Sequence, residues 1–246
     1  MTLHDDRRRA GSFGSAAAQY DRYRPTYPTS LIAGLVPGRG VTVLDVGAGT
    51  GIASRQLADA GADVVAVEPD PEMAAVAAAK GLTVDVATFE GWEPAGRTFD
   101  LVVFAQSFHW VEPRSALTKV AGLLRDGGRL ALLWNRIVQV RPTPEEFDAA
   151  YAGIVDDWRR PSEGIERSER LGELLDETGF TNERRTYGED LHYATDDWID
   201  MVTTYSAVLT LERDARELLR ARLRECIGSD GVDATNDALA VVCARR

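Results

Sequence analysis

The 246-residue sequence has little cysteine and no long apolar run, and each shortage narrows what the protein can be. Its 2 cysteines, Cys226 and Cys243, form no metal-ligand or redox spacing, so we expect buried, reduced thiols and no metal site. No apolar stretch approaches the ~20 residues that cross a bilayer, so no membrane partner is expected. Arginines near the start are not followed by an apolar segment, which argues against a secretory signal. These features favour a cytoplasmic protein.

Basic charge is also in short supply. The 28 lysine and arginine residues are outnumbered by 39 acidic residues, which gives a formal net charge of −11. This balance argues against nucleic acid as the main partner. Hydrophobic residues at 44% and charged residues at 27% are ordinary for a globular protein, and the length allows one domain with a full core. We expect a monomer or a homodimer.

What the sequence does contain is a glycine-rich turn between a strand and a helix. An apolar run from Val41 leads to Asp45 and then to three glycines at alternate positions, Gly47, Gly49 and Gly51. The run predicts a strand buried on both faces, and the apolar spacing that follows predicts a helix. Glycines allow a tight turn and a close approach of the backbone to a ligand, while the helix N-terminus offers unpaired N–H groups.

The spacing of these glycines distinguishes the turn from two other ligand-binding loops. The dinucleotide fingerprint is G-x-G-x-x-G, one residue longer than the G-x-G-x-G found here. The lysine followed by serine or threonine that a P-loop requires is missing, which excludes that loop. Asp45, at the carboxyl end of the strand, would repel a pyrophosphate but suits a ligand that carries an amine.

Residues 44–51, with the sequence L-D-V-G-A-G-T-G, resemble the first motif of the class I S-adenosylmethionine-dependent methyltransferases. The resemblance implies that the loop, including Ala48, holds the methionine part of the cofactor S-adenosylmethionine. It also implies an α/β fold, a doubly wound seven-stranded mostly parallel sheet of the Rossmann-like methyltransferase type, with an N-terminal helical strap and a helical lid. A glycine turn that serves only strand–helix packing is the alternative.

The second predicted strand, residues 63–67, ends in an acid, Glu68. A carboxylate at this position can accept hydrogen bonds from both ribose hydroxyls. Nicotinamide and adenosylmethionine folds both use such an acid, so Glu68 indicates an adenosine nucleoside without choosing between the two. Pro69 and Met73, in the following turn and helix, are further candidates for contact with the cofactor.

The loop after the third predicted strand, residues 82–87, is a candidate adenine site. The resemblance implies contacts from Glu90 or from the backbone around Thr88 and Phe89. A surface loop with no ligand would have much the same sequence.

The turn after the fourth predicted strand, residues 98–104, lies at the switch point of a doubly wound sheet, where ligands bind. We therefore expect Ala105 and Gln106 to contact the cofactor. His109, one of 3 histidines, is a candidate general base for the acceptor near neutral pH. A structural histidine is the alternative.

A cluster of tyrosines and one arginine precedes the first strand. Tyr20, Tyr23, Arg24 and Tyr27 follow the pattern Y-x-x-x-R-P-x-Y-P, which resembles a leader of small-molecule methyltransferases that folds over the cofactor. The resemblance implies that Arg24 contacts the cofactor and that Tyr20 or Tyr23 orients the acceptor or relays its proton. A packing strap of aromatic side chains is the alternative.

The remaining chain predicts helices at 143–160, 167–178, 197–209 and 211–227, a strand at 180–193 and a closing strand at 239–244. The resemblance implies that this last strand inserts antiparallel between the fifth strand and the 180–193 strand, and that the late helices form a lid. Candidate lid residues are Trp158, Trp198, Met201, Tyr205 and Ser206. The single domain then divides into a cap (1–40), a cofactor-binding core (41–135), lid helices with an edge strand (136–238) and the closing strand (239–246).

The function implied is transfer of a methyl group to an oxygen, nitrogen or carbon of a small acceptor by in-line displacement. One rival is a nicotinamide-dependent oxidoreductase, which the short glycine spacing, Asp45 and the lack of a Tyr-x-x-x-Lys pair oppose. A second rival is a non-catalytic S-adenosylmethionine-binding protein, which would need neither His109 nor a lid.

Overall fold

The computed structural model describes residues 14–155, 158 and 169–246. Within these residues a central sheet contains eight strands. In chain order the strands are β1 (Thr42–Val46), β2 (Asp63–Glu68), β3 (Thr83–Val86), β4 (Phe99–Ala105), β5 (Leu124–Trp134), β6 (Ile137–Arg141), β7 (Phe180–Tyr193) and β8 (Val232–Arg245).

Ten α-helices lie in the described ranges: α1 (Ala17–Tyr23), α2 (Thr29–Leu35), α3 (Ile52–Asp59), α4 (Pro71–Ala79), α5 (Pro113–Leu123), α6 (Pro144–Tyr151), α7 (Glu169–Glu177), α8 (Thr195–Val202), α9 (Ser206–Leu209) and α10 (Arg213–Ile227). Proline occupies the first position of α4, α5 and α6, where its missing N–H costs nothing. The side chain before each proline, from Asp70, Glu112 and Thr143, caps the helix.

The strand order is β3-β2-β1-β4-β5, all parallel, followed by β8, which runs antiparallel to β5. On its other edge β8 pairs antiparallel with β7 along the whole length of β7. The prediction that residues 239–244 insert antiparallel between the fifth strand and the 180–193 strand is therefore confirmed. The chain order reverses between β1 and β4, which places a switch point at their carboxyl ends.

The strand count of seven omitted β6. β8 is longer than predicted, and its first half leaves β5 to pair with β6, from Asn236 opposite Ile137 to Asp233 opposite Arg141. The sequence does not predict β6, because Val138 and Val140 are about half exposed and the strand has no buried face with a clear period of two.

Apolar side chains cover both faces of the sheet. Leu44, Phe104 and Leu132 pack on one face with residues of α5 and α7, and Val43, Val103 and Leu133 pack on the other with residues of α2 and α3. Burial on both faces explains why β1 and β4 are almost continuously apolar. No helix of the described chain is long and apolar enough to cross a bilayer.

A third apolar cluster joins α6, α8 and α10, which with α9 are called the lid here; residues 17–27 are called the strap. The prediction of one helix over 197–209 is wrong, since the chain breaks between α8 and α9 at Thr203–Tyr205. The helix predicted over 143–160 ends at Tyr151. Residues 156, 157, 159 and 160 of this predicted helix lie outside the described residues.

Candidate functional site

The glycine turn joins β1 to α3 at the carboxyl edge of the sheet. Gly47 and Gly49 adopt left-handed φ angles of +66° and +59°, which other residues adopt only at a cost. A Cβ on Gly47 would lie 2.7 Å from the Cβ of Ser107, whereas a Cβ on Gly49 would meet Met73 Cε at an ordinary 3.6 Å. Gly47 therefore permits the turns after β1 and β4 to touch, while Gly49 is required for backbone conformation.

Asp45 lies directly before this turn and is fully buried. Its Oδ2 accepts a hydrogen bond from Ser54 Oγ at 2.6 Å, but its Oδ1 has no hydrogen-bond partner among the described residues. Burial raises the pKa of Asp45 to about 6, against the opposing effect of the Ser54 hydrogen bonds. A buried carboxylate oxygen without a donor is costly. A ligand ammonium group, directly or through water, would satisfy it, so the site fits an amino-acid moiety.

Glu68 ties the glycine turn to the end of β2. Its Oε2 accepts the Gly49 N–H at 2.8 Å, and its Oε1 accepts the Asp70 N–H at 2.9 Å. Burial raises the pKa of Glu68, and the two backbone donors oppose that shift. Each oxygen keeps a further lone pair, so a nucleoside diol can still be bound. The exposed Pro69 and the buried Met73 follow in the same turn and helix.

The loop after β3 divides into exposed and buried parts. Thr88 and Glu90 are exposed, but the Phe89 ring is buried and packs edge-on against Phe104 with centroids 5.5 Å apart. The Phe89 side chain therefore belongs to the core, and its backbone alone is available for a ligand. Lys119 holds the loop, since its Nζ donates to the Phe89 carbonyl at 2.6 Å. No spacing in the sequence indicates that contact.

The turn after β4 begins with a strained residue. Gln106 has a φ of +58°, unusual for a residue other than glycine. Its N–H donates to the Leu133 carbonyl at 2.9 Å, and its Nε2 donates to the Asn135 carbonyl at 3.0 Å. Ala105, at the end of β4, is half-buried. This strained residue lies at the switch point of the sheet. Strained backbone conformations are enriched at functional sites, so the strain supports a functional role for this turn.

His109 is half-buried, and its ring lies 4.7 Å from that of Trp110, centroid to centroid. Burial lowers the pKa of His109 to about 4. The imidazole is therefore neutral across the physiological range, free to accept a hydrogen bond. It is also a weaker base than the sequence prediction assumed, because proton-transfer efficiency falls as the pKa drops below the working pH.

Arg24 connects the strap to the lid. Its guanidinium lies over the rings of Tyr20 and Tyr205, 4.7 and 4.1 Å from their centroids. Its Nε and Nη2 donate to the side chain and the carbonyl of Thr204 at 2.8 and 2.9 Å. Nη1 has no hydrogen-bond partner in the described part of the chain, so a planar cationic donor is held in place with one nitrogen to spare. This fits an anionic ligand group.

The other tyrosines of the strap have different surroundings. Burial and the neighbouring Asp200 carboxylate raise the pKa of Tyr23, against the charge of Arg22. Tyr27 is buried, and its pKa is raised mainly by burial and further by Tyr20 and Asp45. Arg24 and Asp45 therefore both influence the pKa of Tyr27, whereas the pKa of Tyr23 depends on Arg22 and Asp200.

The predicted lid residues separate into core and surface. Trp198 and Met201 are buried in the lid core, and Trp158 stacks on Tyr151 with centroids 4.2 Å apart. Tyr205 is 38% exposed and faces Arg24, and Ser206 is half-buried. Tyr205 therefore lies beside the strap, against Arg24.

Three residues near the site were missed from the sequence: Ser54, Thr204 and Asn135. Ser54 supports Asp45 from the first turn of α3, and Thr204 accepts a hydrogen bond from Arg24 across 180 positions. Asn135 follows the last residue of β5, so the rule that ligands and polar groups gather at strand ends could have identified it.

Comparisons with known proteins agree on one family. A sequence model described as a methyltransferase domain matches residues 44–132. An uncharacterized methyltransferase of Mycobacterium tuberculosis is 35% identical over 245 residues, which cover 95% of this chain and 94% of that protein. An uncharacterized methyltransferase of Schizosaccharomyces pombe is 26% identical over 224 residues, 88% of this chain and 87% of that protein.

Solved structures show the same fold. A proposed type II methyltransferase from Anaeromyxobacter dehalogenans superposes with a TM-score of 0.66 at 25% identity, covering 91% of this chain and 98% of that one. A Geobacter sulfurreducens methyltransferase, solved with S-adenosyl-L-homocysteine, gives a TM-score of 0.55 at 16% identity, covering 97% and 98%.

Proposed function

The chain belongs to the class I S-adenosylmethionine-dependent methyltransferase family, and from that premise we propose that it methylates a small, partly apolar or aromatic acceptor. The supporting observation is the unpartnered, buried Oδ1 of Asp45 at the glycine turn. An amino-acid ammonium satisfies this oxygen, whereas a dinucleotide pyrophosphate would be repelled by it.

The residues that hold the cofactor follow from their free hydrogen-bonding groups. Asp45 binds the ammonium of the methionine end, Arg24 binds its carboxylate through Nη1, and Glu68 binds the ribose hydroxyls. Bound S-adenosylmethionine supplies an electrophilic methyl group and a neutral thioether leaving group. The remaining contacts are assigned to Gly47, Ala48, Gly49, Gly51, Pro69, Met73, Thr88, Phe89, Glu90, Ala105 and Gln106.

The strap and lid would align the acceptor and exclude water. Alignment of two reactants contributes on the order of 7–11 kcal/mol, and a positioned base contributes less, about 10²–10⁴-fold. His109, neutral at physiological pH, accepts the hydrogen bond of the acceptor's proton. Tyr20 and Tyr23 orient the acceptor from the strap. The aromatic lid side chains and the net charge of −11 favour a small apolar acceptor over nucleic acid.

Calorimetric titration tests the cofactor. We expect S-adenosylhomocysteine to bind and NADH not to bind under the same conditions. The reverse result would favour a nicotinamide enzyme.

Glu68→Ala should weaken S-adenosylhomocysteine binding by about 1.5–3 kcal/mol, the range for hydrogen bonds to a charged group. Unchanged affinity would place the adenosine elsewhere.

A panel of acceptors tests the reaction. The protein is incubated with methyl-labelled cofactor and with phenols, carboxylic acids, amines and indoles, and we expect transfer to members with an apolar or aromatic body. Binding of the cofactor without transfer to any acceptor would favour a non-catalytic binding protein. Transfer to RNA or DNA would contradict the acceptor class.

The setting of the activity is part of the same proposal. We place the protein in the cytoplasm, because its cysteines form no disulfide-like or metal-ligand spacing. We propose that it acts as a monomer or a homodimer and that the chain forms one domain. Within that domain residues 1–40 form the cap, 41–135 the cofactor-binding core, 136–238 the lid with its edge strand and 239–246 the closing strand. Sedimentation analysis measures the oligomeric state.

A further inference from the structure

A buried asparagine, Asn236, lies where β8 changes partners from β6 to β5. It is 1% exposed, so its amide depends on protein partners. Its Oδ1 accepts the backbone N–H of Arg136 at 3.0 Å, and its Nδ2 donates to Asn135 Oδ1 at 2.9 Å. The side chain of Asn135 is thereby held at the fork between β5 and β6.

The direction of these hydrogen bonds is fixed at both ends. The Arg136 N–H can only donate, so the oxygen of Asn236 must face it and its nitrogen must face Asn135. The oxygen of Asn135 then accepts, which turns its Nδ2 toward the strap. There it donates to the carbonyls of Thr26 at 3.1 Å and Pro25 at 3.4 Å, and carbonyls can only accept. Each amide orientation is therefore determined by the network.

The backbone of Asn135 fixes a second element. Its carbonyl accepts Gln106 Nε2 at 3.0 Å, and this bond holds the strained residue that begins the turn after β4. The two elements that meet at Asn135 are thus the strap, which carries Arg24, and the turn that carries His109.

We propose that Asn135 is a positioning residue that fixes the strap against the turn after β4, and that Asn236 sets the direction of its amide. The inference rests on the proposed function, in which Arg24, next to Pro25, holds the cofactor. Asn135 touches neither reactant in this proposal. It fixes the distance between the strap, which holds the cofactor through Arg24, and the turn that carries His109.

The substitution Asn135→Asp tests the strap contact. It keeps an acceptor for Asn236 but turns an oxygen toward two carbonyls, so the strap is repelled. We expect about a 10-fold or larger loss of affinity for S-adenosylhomocysteine, measured by calorimetry on folded protein. Trypsin cleavage after the exposed Arg22 should also accelerate. Asn182→Ala, an exposed asparagine on β7, is the control and should bind within about twofold of the wild type.

The substitution Asn236→Asp tests the direction of the network from a distance. Aspartate still accepts the Arg136 N–H but cannot donate to Asn135, so the Asn135 amide rotates and presents its oxygen to the strap. Affinity for S-adenosylhomocysteine should fall several-fold. In an Asn135→Ala background the same substitution should have no further effect on affinity, because the Asn135 amide through which Asn236 acts is absent.

Two results would overturn the proposal. Variants with lower melting temperatures but wild-type affinity and wild-type cleavage after Arg22 would make both asparagines structural. Additive losses of affinity from Asn135→Ala and Asn236→Asp would show that Asn236 does not act through Asn135. Failure of the wild-type protein to bind S-adenosylhomocysteine is a different outcome, since it contradicts the proposed function itself.

Discussion

The glycine edge of the sheet and the strap–lid layer are held together by different kinds of contact. At the glycine edge, Asp45 meets a residue 9 positions away and Glu68 meets one 19 positions away. Between strap and lid, Gln19 meets Thr203 across 184 positions. The first region is one strand–turn–helix unit and its neighbour, so its chemistry appears as a local motif. The second exists only after the whole chain has folded.

The two regions also differ in what stabilises them. The glycine edge combines a fully buried carboxyl group, that of Asp45, with left-handed backbone at Gly47 and Gly49, so small changes there are costly. The strap–lid layer is held by polar pairs that are only partly buried, such as Gln19 with Thr203 between strap and lid. Within the lid, Arg220 pairs with Asp200, and their side chains are 24% and 22% exposed. Such pairs contribute little individually. We therefore expect substitutions at the glycine edge to change stability as well as cofactor binding, and those at the strap to change binding with little effect on stability.

The largest effect is expected for Gly47→Ala. A Cβ there meets Ser107 and also forces a left-handed alanine, so the free energy of unfolding should fall by about 2–5 kcal/mol. Gly40→Ala is the matched control, because Gly40 has a φ of +82° with nothing within 4 Å of an added Cβ. For Gly40→Ala the free energy of unfolding should fall by only about 1–2 kcal/mol. Equal losses in chemical denaturation would remove the role of the Ser107 contact.

The next effect is a pH dependence carried by Asp45. Its pKa rises from 3.8 to about 6 on folding, so its contribution to stability is complete below about pH 4 and is lost as the pH rises through 6. The loss amounts to about 2–3 kcal/mol. Asp45→Asn should therefore be the more stable protein at pH 7.5 without ligand, and the two should converge near pH 4. Thermal melts that run parallel across this range would contradict the prediction.

A smaller effect is expected on the strap side from Arg24→Lys. Lysine keeps the charge but loses the paired hydrogen bonds to Thr204 and the stacking on Tyr20 and Tyr205. Affinity for S-adenosylhomocysteine should fall by about 1–2 kcal/mol, with the melting temperature almost unchanged. Arg22→Lys, at an exposed position, is the control. A large drop in stability with intact affinity would reverse the contrast between the two regions.

The smallest effect is expected for His109→Asn. With a pKa of about 4 the histidine is already neutral, so kcat should fall by less than about 10-fold and the pH–rate profile should show no histidine inflection between about pH 5 and 8. A fall of about 10²-fold, together with wild-type activity that drops through the usual histidine range, would restore the role of general base near neutral pH.

The contrast between the regions explains what the sequence could predict. The parallel order around β1 and the antiparallel insertion of β8 follow from the family motif. Three features could not be predicted, because they depend on contacts made in the folded chain that no local spacing marks. They are the burial of Phe89 against Phe104, the break between α8 and α9 at Thr203 and the shifted pKa of His109. The hydrogen bond between Asn135 and Asn236 spans 101 positions, so it too could not be predicted from local spacing.

The most direct test compares S-adenosylhomocysteine with 5′-methylthioadenosine, which lacks the amino-acid end, on wild type and Asp45→Asn. If Asp45 binds the ammonium, the variant should lose about 100-fold or more in affinity for S-adenosylhomocysteine, as when one partner of a buried ion pair is removed. Its affinity for 5′-methylthioadenosine should change by less than about threefold. Asp63→Asn, at the exposed start of β2, should leave both affinities unchanged. Equal losses for the two ligands, or none, would contradict the assignment of the methionine end to Asp45.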